Sequence, residues 1–121
     1  MGKYVIKQSK TGPHFVLKAA NGEPIGTSEV YSSEAAAKNG IESVKKNAPV
    51  AQIEDQTVEG WKNMTNPVFE LYKDKAGEFR FRLRAKNGEP ILASEGYSAK
   101  ASAIGGIESV KKNADSEIVT E

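Results

Sequence analysis

The sequence contains no cysteine, one histidine and one tryptophan. Without cysteine there are no disulfides, thiolate metal sites or thiol nucleophiles. The histidine, His14, has no Gly-x-Ser-x-Gly elbow to serve and reads as a surface residue. Neither a Walker sequence nor a Gly-x-Gly-x-x-Gly fingerprint is present, and no cofactor or metal cluster is expected. No apolar stretch approaches the roughly 20 residues of a membrane helix. No apolar run follows Met1-Gly2-Lys3, so the reading expects no secretion signal and a cytoplasmic location. A dominant charge is missing too: 17 basic residues face 16 acidic ones, a formal net charge of +1. Whole-molecule attraction to nucleic acid or anionic lipid is therefore weak, and any such binding must come from a local patch.

What the sequence does have is itself, twice. Gly40-Ile41-Glu42-Ser43-Val44-Lys45-Lys46-Asn47-Ala48 recurs letter for letter as Gly106-Ile107-Glu108-Ser109-Val110-Lys111-Lys112-Asn113-Ala114. From Asn21 to Ala48 and from Asn87 to Ala114 the two copies agree at 20 of 28 positions. Each copy, at about 60 residues, is near the size where one core is marginal, and two copies sharing a core relieve that. We therefore read residues 1–121 as one domain, with repeat one at 1–57, a linker at 58–67 and repeat two at 68–121.

Within repeat one, Lys3–Gln8 is β-prone, Gly12-Pro13 makes a turn, and His14–Ala19 is a second strand. Phe15, Leu17 and Ala19 share one face of it under the period of two. Asn21-Gly22 supplies a hairpin turn, since both central positions of a type I′ turn need positive φ. Strand three runs from Pro24 to Tyr31. Ser32 is placed as the helix N-cap, with Ala37, Gly40, Ile41, Val44 and Ala48 on one helical face. Gly40 and Gly106 cost about 1 kcal/mol against alanine in a helix, which close packing on a sheet would explain. Pro49 ends the helix and Val50–Thr57 is a weak fourth strand. Repeat two follows the same order: Phe69–Tyr72, Phe79–Arg84, the Asn87-Gly88 hairpin, Pro90–Tyr97, a helix capped by Ser98, and a closing strand at Glu117–Thr120.

The string Asn-Gly-Glu, then Ser-Glu-x-Tyr-Ser, then Gly-Ile-Glu-Ser-Val-Lys-Lys-Asn resembles the YegP-like family of small, mainly bacterial proteins. The resemblance covers nearly the whole chain twice and omits only the linker. It implies an α+β fold of two βββαβ units. These form one mostly antiparallel sheet with two helices on one face, a pseudo-twofold axis and exchanged C-terminal strands. Val50–Thr57 would pair with the second unit, and Ser116–Glu121 with the first. A monomer follows. The family brings no established activity.

Several residue sets carry candidate chemistry. Arg80, Arg82 and Arg84 alternate with apolar residues, so their guanidiniums leave one sheet face, with Tyr72 on the neighbouring strand and Lys18 as a first-repeat counterpart. An open face of this kind binds anions or single-stranded nucleic acid; its plain alternative is a solvated face with cross-strand pairs to Glu70 and Asp74. Glu29 and Glu95 share parity with inward Ile25 and Ile91, so unless a bulge intervenes partly buried carboxylates are expected there, as bases or as structural acceptors. Lys45, Lys46, Lys111 and Lys112 end both helices, as helix-end charges or as phosphate patches. Trp61 in the linker is either a buried anchor or an exposed contact. The leading functional reading is a non-enzymatic binding module for an anionic ligand. A small-molecule site or enzyme at the Ser-Glu pairs, and an assembly role through sheet edges, stand beside it.

Overall fold

In a computed structural model the described residues are 2–120. Eleven elements follow in chain order: β1 (Lys3–Ser9), β2 (Gly12–Lys18), β3 (Pro24–Thr27), α1 (Glu34–Asn47), a short 3-10 turn (Ala48–Val50), β4 (Gln52–Asp55), β5 (Val68–Lys73), β6 (Phe79–Arg84), β7 (Pro90–Ala93), α2 (Lys100–Asn113) and β8 (Glu117–Thr120). The strands form one sheet in the order β4-β5-β6-β7-β3-β2-β1-β8. Its two halves meet antiparallel where Thr27 of β3 faces Ala93 of β7. The last strand of each repeat crosses to the other repeat: β4 lies parallel to β5, and β8 parallel to β1. All other ladders are antiparallel. This is the α+β pseudo-twofold arrangement with exchanged strands.

The helices cover one face. Tyr4, Phe15, Leu17, Ile41 and Val44 from repeat one join Phe69, Phe81, Leu83, Ile107 and Val110 from repeat two in a single apolar cluster. Polar ties also run between the repeats. The Tyr4 hydroxyl donates to the Ala114 carbonyl at 2.6 Å, and burial pushes that phenol well above its ordinary pKa. Asn113 Oδ1 accepts from the Gly2 amide at 3.1 Å, and Asn47 Oδ1 accepts from the Lys86 amide at 3.2 Å. Each asparagine also donates to the serine four residues back, so both are buried without an unsatisfied group.

Gly40 and Gly106 lie on the helix faces toward the sheet, as their cost in a helix suggested. A Cβ on Gly106 would stand 2.6 Å from the Tyr97 hydroxyl and 2.8 Å from the Phe81 ring; on Gly40 it would strike the Tyr31 hydroxyl. Those tyrosines stack on Phe81 (6.4 Å) and Phe15 (6.0 Å), so each glycine makes room for a ring pair.

Five local expectations are corrected. The Asn-Gly hairpins are not type I′ turns, since Gly22 and Gly88 have positive φ but Asn21 and Asn87 do not. Gly12 and Pro13 already belong to β2, so the first turn lies ahead of them. Strand three stops at Thr27 and at Ala93 instead of reaching Tyr31 and Tyr97. A serine interrupts the ladder there: Ser28 Oγ accepts from the Phe15 amide (2.9 Å) and donates to the Glu29 carbonyl (2.8 Å), and Ser94 does the same with Phe81 and Glu95; isolated backbone contacts resume at Tyr31 with Pro13 and at Tyr97 with Phe79. The N-cap of α1 is Ser33, not Ser32; its hydroxyl accepts from the Ala36 amide at 3.1 Å. Alanine occupies the equivalent place in repeat two, so Ala99 and not Ser98 is the cap, and α2 starts with no side-chain cap.

Candidate functional site

The face away from the helices is best followed along one row of register partners. From β8 to β4 it reads Val119, Val5, Val16, Thr27, Ala93, Arg82, Glu70, Glu54. The row is apolar at the first-repeat end and charged at the other. The two ends occupy equivalent places, because Tyr4 and Phe69 make the same edge-on ring contact with Phe15 and Phe81. Val5 and Val16 therefore stand where Glu70 and Arg82 stand. Both valines are buried, at 3% and 8% exposure.

On the second-repeat half the structure gives each arginine of the stripe a carboxylate. Arg80 Nε lies 2.6 Å from Asp74 Oδ2; Arg82 Nε and Arg84 Nε lie 2.5 Å and 2.8 Å from Glu70 Oε1. Burial alone would raise the Glu70 pKa, but the hydrogen bonds and charges of Arg82 and Arg84 outweigh it and hold the carboxyl below its usual range. The Arg80 hydrogen bond does the same for Asp74, which in turn raises the guanidinium. Arg82 lies over the Tyr72 ring, 4.8 Å from its centroid. Beside Glu70, Glu54 is buried at 3% exposure. It accepts from Gln56 (2.8 Å) and from the Met64 amide (2.7 Å), which brings the linker onto this face. Three guanidiniums thus meet two carboxylates, Asp74 and a shared Glu70, with Glu54 beside them, and this half is close to neutral.

The first-repeat half is different. Lys3 and Lys18 are directly opposite each other on β1 and β2, Lys7 is opposite His14, and on its other side Lys3 is in register with Glu117 of β8. Their strand neighbours Tyr4, Ile6, Phe15 and Leu17 point into the core, so the period of two puts all four basic side chains on the open face. Among the described residues neither Lys3 nor Lys18 has an ion-pair partner. His14 is half-buried and not a plain surface residue; its Nδ1 is buried without a hydrogen bond among the described residues.

The remaining candidates are dispersed. Glu29 and Glu95 are exposed, which corrects their expected burial: a bulge at Ile25 and at Ile91 shifts the register, so Thr27 and Ala93, of the same parity as the glutamates, already face away from the helices. The working residue of each Ser-Glu pair is the serine, nearly buried at 8% for Ser28 and 7% for Ser94. Lys45 and Lys111 fold back over the Tyr4 and Phe69 rings, each 5.9 Å away. Lys46 and Lys112 are exposed and line two twofold-related grooves between the helix of one repeat and the Asn-Gly hairpin of the other. Trp61 is 42% exposed.

Sequence reasoning overlooked Lys3 and Lys7. Strand alternation alone sets them on the face of Lys18, but the opposing register comes only with the pairing. Glu54 was hidden in a weak strand. Among the described residues no cluster could hold a metal ion, and no helix is long and apolar enough to cross a membrane.

A family described as a domain of unknown function, DUF1508, matches residues 9–55 and again 74–121. The UPF0339 protein YegP of Yersinia pestis is 42% identical over 122 residues, covering 100% of this chain and 96% of that protein. A UPF0339 protein of Treponema denticola is 57% identical over 53 residues, which is 44% of this chain but 91% of that protein; the relative is one repeat long. The solution structure of the Escherichia coli protein yegP, described as of unknown function, superposes with a TM-score of 0.80 at 33% identity, over 99% of this chain and 92% of that one. With two matched repeats, full-length relatives and the same fold, the chain belongs to the UPF0339 (YegP) family, as a tandem-repeat member.

Proposed function

We propose that this protein is a non-enzymatic binding module that takes a polyanion on the open face of its first repeat, between Lys3, Lys18 and their neighbours on β1 and β2. The observation that carries this reading is the Lys3–Lys18 pair. Like charges directly opposite on antiparallel strands are destabilising. The second repeat pairs all three arginines with Asp74 or Glu70, whereas the first sets Lys3 against Lys18, and among the described residues Glu117 beside Lys3 forms no ion pair with it. A bound anion removes that repulsion. The arginine stripe suits this role less well, since Glu70 and Asp74 already occupy it. A single-stranded nucleic acid backbone has the matching charge, and with two or three phosphates engaged its affinity falls by about 0.7 log units per log unit of salt for each contact.

The test joins stability to binding. Lys18→Gln relieves the repulsion and is expected to stabilise the free protein by a few tenths of a kcal/mol, up to about 1. A ligand that binds only the folded state raises the Tm, and the same substitution is expected to remove the rise produced by an oligonucleotide at low salt. If Lys18→Gln leaves that rise intact, the face does not bind the anion.

A further inference from the structure

The pseudo-symmetry breaks at the far end of the sheet. Where β4 stops at Asp55, the linker borders an open pocket of about 620 Å³ against the end of β5, lined in part by Thr57, Trp61, Tyr72, Lys73, Phe79 and Lys100. Three of these residues are aromatic. The corresponding first-repeat positions of Tyr72, Lys73, Phe79 and Lys100 are Lys7, Gln8, Pro13 and Glu34, so no such aromatic lining exists there.

We propose that this pocket binds a planar aromatic anion, with Trp61 stacked on its ring and Lys73 paired with its acidic group. Two observations carry the proposal. The first is Trp61 itself. Tryptophan is among the most buried side chains on average, yet this one is 42% exposed and has no ring or cation partner among the described residues. The other two aromatic residues are held in place: Tyr72 by the Arg82 guanidinium at 4.8 Å, Phe79 by its backbone bridge to Tyr97. The second is charge. Lys100 is committed to Asp55 at 2.6 Å, while Lys73 meets a ring and no carboxylate among the described residues. One cation therefore remains for the ligand. The volume falls within the usual range for small-molecule sites, and an aromatic face accepts any planar base or ring. A nucleoside monophosphate and an aromatic carboxylate share this chemistry. The site lies at the opposite end of the sheet from Lys3 and Lys18 and is independent of the binding proposed there.

Because Trp61 is the chain's one tryptophan, its emission reports on this pocket directly. Adenosine monophosphate, adenosine and nicotinate are titrated into the full chain, following Trp61 fluorescence and backbone amide shifts. Saturable quenching by at least one of the two anions is expected, with shifts at Thr57, Tyr72 and Phe79, and with adenosine several-fold weaker than its monophosphate. A response to the monophosphate alone assigns a phosphate ligand; a response to nicotinate alone assigns a carboxylate. Lys73→Gln is expected to erase the preference for the charged ligand, and Trp61→Ala, read by amide shifts, to weaken binding about tenfold. No saturable response to either anion at millimolar concentration overturns the proposal. So does a response unchanged by Lys73→Gln, or shifts confined to β1 and β2; that last outcome leaves the polyanion reading standing.

Discussion

Glu70 offers the sharpest test of how the open face is held together. Its side chain is 11% exposed and one oxygen accepts from both Arg82 and Arg84, which are 37% and 30% exposed. Removing one partner of a fully buried pair costs about 3–5 kcal/mol; with arginines that water still reaches, about 2 kcal/mol is expected for Glu70→Val. Repeat one shows the alternative, since Val5 and Val16 occupy the places of Glu70 and Arg82 and are buried together. Replacing a buried ion pair by a packed apolar pair is often neutral or stabilising. The double variant Glu70→Val/Arg82→Val is therefore expected within about 1 kcal/mol of the parent, the remaining loss coming from Arg84, which keeps no carboxylate. Denaturant unfolding of the parent, both single variants and the double variant closes the cycle. A double variant less stable than Glu70→Val alone refutes the reasoning. The sign with pH follows from the lowered Glu70 pKa. The pair contributes fully above the ordinary glutamate value of 4.5 and fades as pH falls through the lower folded value. The double variant should therefore lose less stability on acidification than the parent.

Other outcomes follow from the same packing. Gly105→Ala meets open space and is expected to stabilise α2 by about 1 kcal/mol, whereas Gly106→Ala drives a methyl toward Tyr97 and Phe81 and is expected to lower the Tm. Ser94→Ala strands the Phe81 amide and is expected to cost about 1–3 kcal/mol in denaturant unfolding. Residues 1–60 and 61–121 expressed apart are expected to be poorly folded or to dimerise, because each loses its exchanged edge strand and half of the apolar cluster. Two monomeric halves as stable as the full chain would contradict that.

The fold was legible because its signals are local and doubled. Period-two alternation, the Asn-Gly hairpins and the helical stripe through Gly40 and Gly106 each appear twice, and the repeat itself called for a shared core. Strand exchange was not readable from residue patterns: a short segment such as Gln52–Asp55 carries no mark of its partner, and only the family resemblance supplied it. The site was less legible because it depends on register. That Arg82 meets Glu70 is a cross-strand fact, and parity alone could only name the carboxylates within reach. The opposition of Lys3 and Lys18 arises from the same pairing. Parity failed at Glu29 and Glu95 because a bulge at Ile25 and at Ile91 reverses the alternation before Thr27 and Ala93 are reached, and the residue types carry no mark of it.

The claim that matters most is that the two repeats have divided the open face, one half neutralised and the other left cationic. Titrating a short single-stranded oligonucleotide at low salt into isotope-labelled protein, and following backbone amides, tests it directly. Shifts are expected on β1 and β2 around Lys3 and Lys18, fading as salt rises, with β5 and β6 around Arg80, Arg82 and Arg84 unmoved. Shifts centred on the arginine strands, or at the helix ends near Lys46 and Lys112, would contradict it.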